Sequence, residues 1–338
     1  MRAKRITGLW CLAAVAVAAL TGCASPPEQS QGVGGKNLTI GLAYIPNIQF
    51  APFYLAESLG YYRDAGLTIT LRHHALAEDV FGALTAGRED VVYAGGDEML
   101  QARTQSVPVV NVATLYGRYP VSLMVREDSP IRTPADLRGR NIGVPGPFGE
   151  TYFALLALLQ SANLTTSDLT VTNIGFTQVA ALAGGKVDGV IGYLNNEAVQ
   201  FKEMRLAVRT ITLADVLNPL PLVSNGLGVA QSVLAANPAD IKTFVAVTLR
   251  AIEETIANPQ QALDISKRYV PGLEDPAKAA GAKAVLDATI PLWRTHQGRM
   301  GSNDPDTWRA MADFMNAYQL IPNPVDATQA YTNDYLPT

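Results

Sequence analysis

Reactive sulfur and imidazole are scarce in this chain, whose 338 residues hold two cysteines and three histidines. Cys11 lies inside an N-terminal apolar run and Cys23 at its end, so the rest of the chain has no thiol. That excludes a cysteine nucleophile, a disulfide, a zinc–cysteine site and an iron–sulfur ligand set from the folded part. His73 and His74 are adjacent, and neighbours on a strand point to opposite faces, so they cannot share a metal; His296 stands alone. We expect neither metal nor cofactor. The GxGxxG, P-loop, GxSxG and HExxH motifs are also missing. Positive charge is short as well: the net charge is −4, and loss of Arg2, Lys4 and Arg5 with a leader would take it to −7. A nucleic-acid partner would need a basic face, so none is expected.

What is present begins with that leader. Arg2, Lys4 and Arg5 precede an apolar run at residues 9–20, too short to span a bilayer comfortably, which reads as a secretory signal. Leu20-Thr21-Gly22-Cys23 resembles the bacterial lipobox, in which small residues admit a peptidase and the cysteine thiol takes up diacylglycerol. Residues 1–22 are therefore expected to be a lipoprotein signal peptide, with Cys23 the lipid attachment site. An acylated cysteine carries two or three chains, enough for durable attachment where one is marginal. Residues 23–36 are polar and rich in Pro, Gly and Ser, and read as a flexible tether.

The remaining chain is long enough for two cores. Strand patterns at residues 38–44, 67–72 and 90–94 alternate with helical patterns at 50–59 and 79–86. The same order recurs as strands at 141–144, 169–174 and 187–193 with helices at 149–161 and 178–183. Such alternation predicts α/β architecture: two lobes, each a mainly parallel sheet flanked by helices. Residues 120–126 and 222–229 are extended runs beside Pro or Gly and read as two hinge crossovers. The expected division is 37–122 plus 226–338 for lobe 1 and 123–225 for lobe 2. From Asn237 onward the pattern is helical, with Asn-Pro pairs at 237 and 258 marking helix starts.

Several segments resemble one family. They are Gly41-Leu42-Ala43-Tyr44-Ile45-Pro46-Asn47-Ile48-Gln49-Phe50-Ala51-Pro52-Phe53-Tyr54, Gly60-Tyr61-Tyr62-Arg63-Asp64-Ala65-Gly66, Thr133-Pro134-Ala135-Asp136-Leu137, Gly175-Phe176-Thr177-Gln178 and Asp188-Gly189-Val190-Ile191-Gly192-Tyr193. The likeness is to type II periplasmic binding proteins for thiamine pyrimidine precursors, riboflavin and sulfonates, most closely the riboflavin branch. It implies the two-lobe fold, an extracytoplasmic monomer, a small aromatic ligand and an ABC permease as partner, with the membrane reached through Cys23. The yeast pyrimidine synthase is similar too, but its cysteine-rich loop is absent here, so no enzyme is expected.

In open α/β sheets ligands sit beyond the carboxyl ends of the strands. That rule selects Asn47, Gln49, Phe50 and Tyr54 after the first strand, Gly96 and Asp97 after the third, and Tyr116 further on. From the second lobe it selects Phe148, Gly149, Tyr152, Gln178, Tyr193, Asn195, Asn196 and Glu197, with Asn225 at the second crossover. Rings offer stacking faces, while amides offer donor and acceptor together. Gly95-Gly96 either turns the chain or admits a ligand; Asp97 and Glu98 either favour a helix start or bind hydroxyls. A thiamine pyrimidine precursor is the alternative ligand that the resemblance implies, and a small anion is a further reading, with Pro145-Gly146-Pro147-Phe148-Gly149 before a helix as its nest and Arg118 as its cation.

Overall fold

The computed structural model describes residues 36–75, 79–294 and 298–338. The leader, Cys23, the tether up to residue 35 and His296 lie outside the described residues.

The first sheet contains β1 (Lys36–Leu42), β2 (Leu67–His73), β3 (Val91–Gly95) and β4 (Val109–Thr114). The second contains β5 (Val121–Arg126), β6 (Asn141–Val144), β7 (Thr170–Asn173), β8 (Gly189–Tyr193) and β9 (Val208–Thr212), after which β10 (Asn225–Ala230) returns to the first. The orders are β2-β1-β3-β10-β4 and β7-β6-β8-β5-β9. In each sheet three strands pair parallel, β1 with β2 and β3, and β6 with β7 and β8. The strand in fourth position runs antiparallel to both neighbours. That reversed strand is the one by which the chain enters the sheet: β5 on the way out, β10 on the way back. β3 is buried along its whole length, as a central strand covered on both faces must be.

Of the two expected crossover runs, residues 121–126 and 225–229 lie in central strands instead. The chain crosses at residues 115–120 and 213–224. An apolar extended run reads alike in either role, and burial of Val121–Val125 on both sides decides for strand. Val121 and Ser122 accordingly pair in the second sheet, Asn225 in the first, and Lys36 opens β1 rather than closing a tether.

The helical tail builds onto the first lobe. Helices Pro238–Ala257 and Pro259–Ser266 pack on Ala51–Ser58, each starting with Pro in its first turn. Tyr54 stacks on Tyr269 at 4.4 Å, and the buried Tyr62 hydroxyl bonds Thr248 at 2.9 Å. The last long helix, Pro305–Ala317, departs from the expected assignment to lobe 1. Its Trp308, Met311 and Met315 join Leu222, Val223 and Phe153 in the apolar cluster of the second lobe. Gly301 and Tyr331, on either side of it, still bridge to β4.

Candidate functional site

A cleft of about 730 Å³, open solvent included, lies where the carboxyl edges of the two sheets face each other. Ala43 and Tyr44 follow β1, Gln49 and Phe50 start the next helix, Tyr93 lies in β3 and Tyr116 follows β4. Pro145, Phe148, Gly149, Glu150 and Thr151 follow β6; Phe176 and Gln178 follow β7; Tyr193 ends β8, with Asn196 and Glu197 after it. Asn225 lines it too, because a reversed strand begins at the edge where its neighbours end. Seven of these residues carry aromatic rings, and among the described lining residues there is no lysine, arginine, histidine or cysteine.

Glu150 organises the floor. It is 1 % exposed, and its carboxyl accepts from Tyr193 Oη at 2.5 Å, Ser224 Oγ at 2.9 Å and Asn225 Nδ2 at 2.8 Å. Those partners come from β8, from the return crossing and from β10, so one side chain ties the lobes together. Beside it Tyr119 donates to Asp97 Oδ2 at 2.6 Å, and Glu98 Oε2 accepts the Gly95 N–H at 2.8 Å. Burial without a neighbouring cation pushes Asp97 up to about 7, and burial together with the Asp97 charge pushes Glu98 up to about 8. Glu150 is raised strongly, by burial first and then by Asp97 and Glu98. Across the cleft burial holds Glu197 at about 7, although its carboxylate accepts the Tyr193 N–H at 2.7 Å and Asn196 Nδ2 at 2.8 Å. Among the described residues the Tyr93 hydroxyl, buried in the wall, has no hydrogen-bond partner of ordinary geometry.

Contacts across the mouth close the lobes on one another. Tyr44 meets Phe176 edge-on at 4.6 Å, and Asn195 Nδ2 reaches Gln49 Oε1 at 3.2 Å and Thr289 Oγ1 at 2.9 Å.

The structure brings Gln49, Phe50, Tyr116, Phe148, Gly149, Gln178, Tyr193, Asn196, Glu197 and Asn225 into the cleft. It places the other expected residues elsewhere. Tyr54 is fully buried in the first lobe, one helical turn beyond Phe50 and edge-on to it at 6.5 Å, with its hydroxyl on His73 at 2.9 Å and its ring stacked on Tyr269. Asn47 caps the turn through the Gln49 N–H at 3.0 Å. Asp97 is sealed beneath the floor, and Tyr152 packs toward the second core, a helical step beyond Glu150 and Thr151. Asn195 supports the wall from behind. Gly95 and Gly96 serve close packing rather than a ligand: a Cβ on Gly95 would come within 2.5 Å of Glu150 Cγ, and one on Gly96 within 2.6 Å of Val223. Gly149, at φ +78°, needs its missing Cβ to lead Phe148 into the helix. Sequence reasoning missed Glu150, Tyr44, Tyr93 and Phe176 as lining groups, and left Glu98 between a helix start and a hydroxyl contact. Widening each selected position by two residues catches Glu150 and Phe176, but neither Tyr44 nor Tyr93.

Two sheets of this order, with a cleft between their carboxyl edges, define the type II periplasmic binding protein fold. The periplasmic aliphatic sulphonate binding protein SsuA from Escherichia coli has it, with a TM-score of 0.67 at 20 % identity over 87 % of this chain and 91 % of that one. The NMT1/THI5-like family model matches residues 47–262, and the chain belongs to that family. It is 37 % identical to the riboflavin-binding protein RibY of Chloroflexus aurantiacus over 89 % of this chain and 86 % of that protein. It is 24 % identical to the formylaminopyrimidine-binding protein of Halalkalibacterium halodurans over 88 % and 90 %. Other relatives are named as 4-amino-5-hydroxymethyl-2-methylpyrimidine phosphate synthases.

Proposed function

We propose that this chain is a lipid-anchored, extracytoplasmic solute-binding protein that captures riboflavin and delivers it to an ABC permease. The observation that carries this reading is a cleft walled by seven rings and edged by carboxyl and amide groups, with no lysine or arginine among its described lining residues. An isoalloxazine is planar, uncharged and alternates donors with acceptors along one edge, which suits stacking faces beside Gln178, Asn196 and Asn225. The resemblance to RibY points the same way. A sulfonate would need a cation or free backbone N–H groups. The start of helix Gly149–Ser161 is instead met by the Glu98 carboxyl, and Arg118 lines a separate hollow with Trp308. Binding rather than synthase chemistry is favoured because no cleft side chain among those described offers an imine-forming amine or a thiol.

Titrating riboflavin into protein purified without it should quench flavin fluorescence as the ring stacks on tyrosine. Tyr193→Ala should weaken binding by roughly 1–3 kcal/mol, about five- to two-hundred-fold, through lost stacking and burial. The second reading is an aminopyrimidine, favoured by Glu197, whose carboxylate could hold its amino group. Calorimetry with riboflavin, hydroxymethylpyrimidine, formylaminopyrimidine and taurine separates them. Heat from a pyrimidine or taurine, and none from riboflavin, removes the flavin assignment and leaves a binding protein.

The anchor is tested independently. Cys23→Ala should leave the chain unprocessed by lipoprotein peptidase and unlabelled by a fatty-acid tracer. Label persisting in that variant would place the lipid elsewhere.

A further inference from the structure

The cleft does not end at its aromatic wall. A second chamber of about 710 Å³, open solvent included, adjoins it and shares Phe148, Phe176 and Glu98 with it. His74, Asp79 and Gln101 line the far side. Both spaces are walled mostly by apolar surface, the inner one by seven rings; the outer one sets the polar side chains of His74, Asp79, Glu98 and Gln101 among Phe81, Phe148 and Phe176. Phe148, 46 % exposed, stands between the two spaces.

We propose that the outer chamber receives an uncharged, hydroxylated chain borne by the ring in the cleft, and that it rejects the same chain when it ends in a phosphate monoester. This rests on the flavin reading above. A hydroxyl donates to a carboxylate and accepts from an amide, so each chain hydroxyl finds a partner in Asp79, Glu98 or Gln101. A phosphate only accepts at its ionised oxygens, and needs N–H groups or a cation.

At two of the helix starts beside the chamber, Val80–Thr85 and Gly96–Thr104, N–H groups are already engaged. Asp79 Oδ1 and Oδ2 each accept a backbone N–H, from Phe81 and Gly82, at 3.1 Å. At the start of helix Gly96–Thr104, Glu98 accepts from Gly95, and Asp97 Oδ1 accepts the Glu98 N–H at 2.7 Å. Resident acidic side chains thus already take the N–H groups that a phosphate would use. The nearby basic side chains are committed too: His74 Nε2 and Arg72 Nη1 both meet Glu89 Oε1, at 2.6 and 2.7 Å. No lysine or arginine is among the described residues lining either space. Adding a dianion here brings it beside Asp79 and carries a desolvation cost, with no lysine or arginine among the described lining residues to offset it.

The test compares three probes by calorimetry on the mature protein at pH 7.5: lumiflavin, which lacks the chain, riboflavin, and riboflavin 5′-phosphate. Riboflavin should bind about tenfold or more tighter than lumiflavin, and the phosphate about thirtyfold or more weaker than riboflavin. Gln101→Lys, which adds a cation to the chamber, should narrow the gap between phosphate and riboflavin by about tenfold and make only phosphate binding strongly salt-dependent. Asp79→Asn, which keeps the cap and removes the charge, should narrow the gap by about three- to tenfold. The proposal falls if the phosphate binds within about threefold of riboflavin, if riboflavin is no tighter than lumiflavin, or if neither variant moves the gap. Failure of all three flavins to bind, with heat from a pyrimidine, would instead overturn the flavin reading itself.

Discussion

Glu150→Ala should destabilise the protein by about 3 kcal/mol or more and abolish tight ligand capture. The substitution leaves a tyrosine hydroxyl, a serine hydroxyl and an amide N–H buried without their acceptor, at a cost of about 1–3 kcal/mol for each group that finds no substitute. It also unties β8 from β10, so the rings on opposite walls lose their spacing. Glu150→Gln keeps the shape and one carbonyl acceptor, and should cost about 1 kcal/mol. Because burial already holds Glu150 toward its protonated form, the neutral amide is the gentler change. Urea unfolding of both variants, alongside flavin titration, checks this. An alanine variant within about 0.5 kcal/mol of the parent would show that the three bonds carry no net stability.

Raising the pH from 5 to 8 should lower the thermal stability of the ligand-free protein. In an unfolded chain these carboxyls titrate near about 4. In the fold Asp97 and Glu197 are raised to about 7 and Glu98 to about 8, with Glu150 shifted the same way. Between the ordinary and the raised values the native protein retains protons that the unfolded chain has released, so stability falls as pH rises. These groups carry no penalty below about pH 4, and their penalty is complete once pH has passed the folded values. Each contributes up to about 1.4 kcal/mol per pH unit inside its window, and Asp97, Glu98 and Glu150 repel one another, so their effects do not simply add. The lowered carboxyls, such as Asp168 and Asp326, act in the opposite sense at more acid pH, outside this range. Calorimetric melting at several pH values, with Glu98→Gln expected to flatten the slope, is the measurement. A melting temperature that stays level or climbs from pH 5 to 8 would mean that the carboxyls ionise without cost.

The sequence by itself determined the secondary structure that frames the site. Period-two apolar runs, Asn-Pro helix starts and the repeated strand–helix order place β1 to β3 and β6 to β8 within a residue or two. Local signals suffice there, because propensity, capping and burial all act within a few positions. The strand-end rule then selected Gln49, Phe50, Phe148, Gln178, Tyr193 and Asn196, since a parallel sheet presents every such loop at one edge. Only the tertiary structure decided which side of each loop faces the ligand. Tyr54 and Tyr44 are equally aromatic in sequence, yet one stacks on Tyr269, 215 positions away, and the other meets Phe176 across the mouth. Glu150 reads locally as an acidic residue in the first turn of a helix, where exposure is the default. It becomes the buried centre of the site because Tyr193, Ser224 and Asn225 converge on it from 43 to 75 positions along the chain, and no local pattern encodes that convergence.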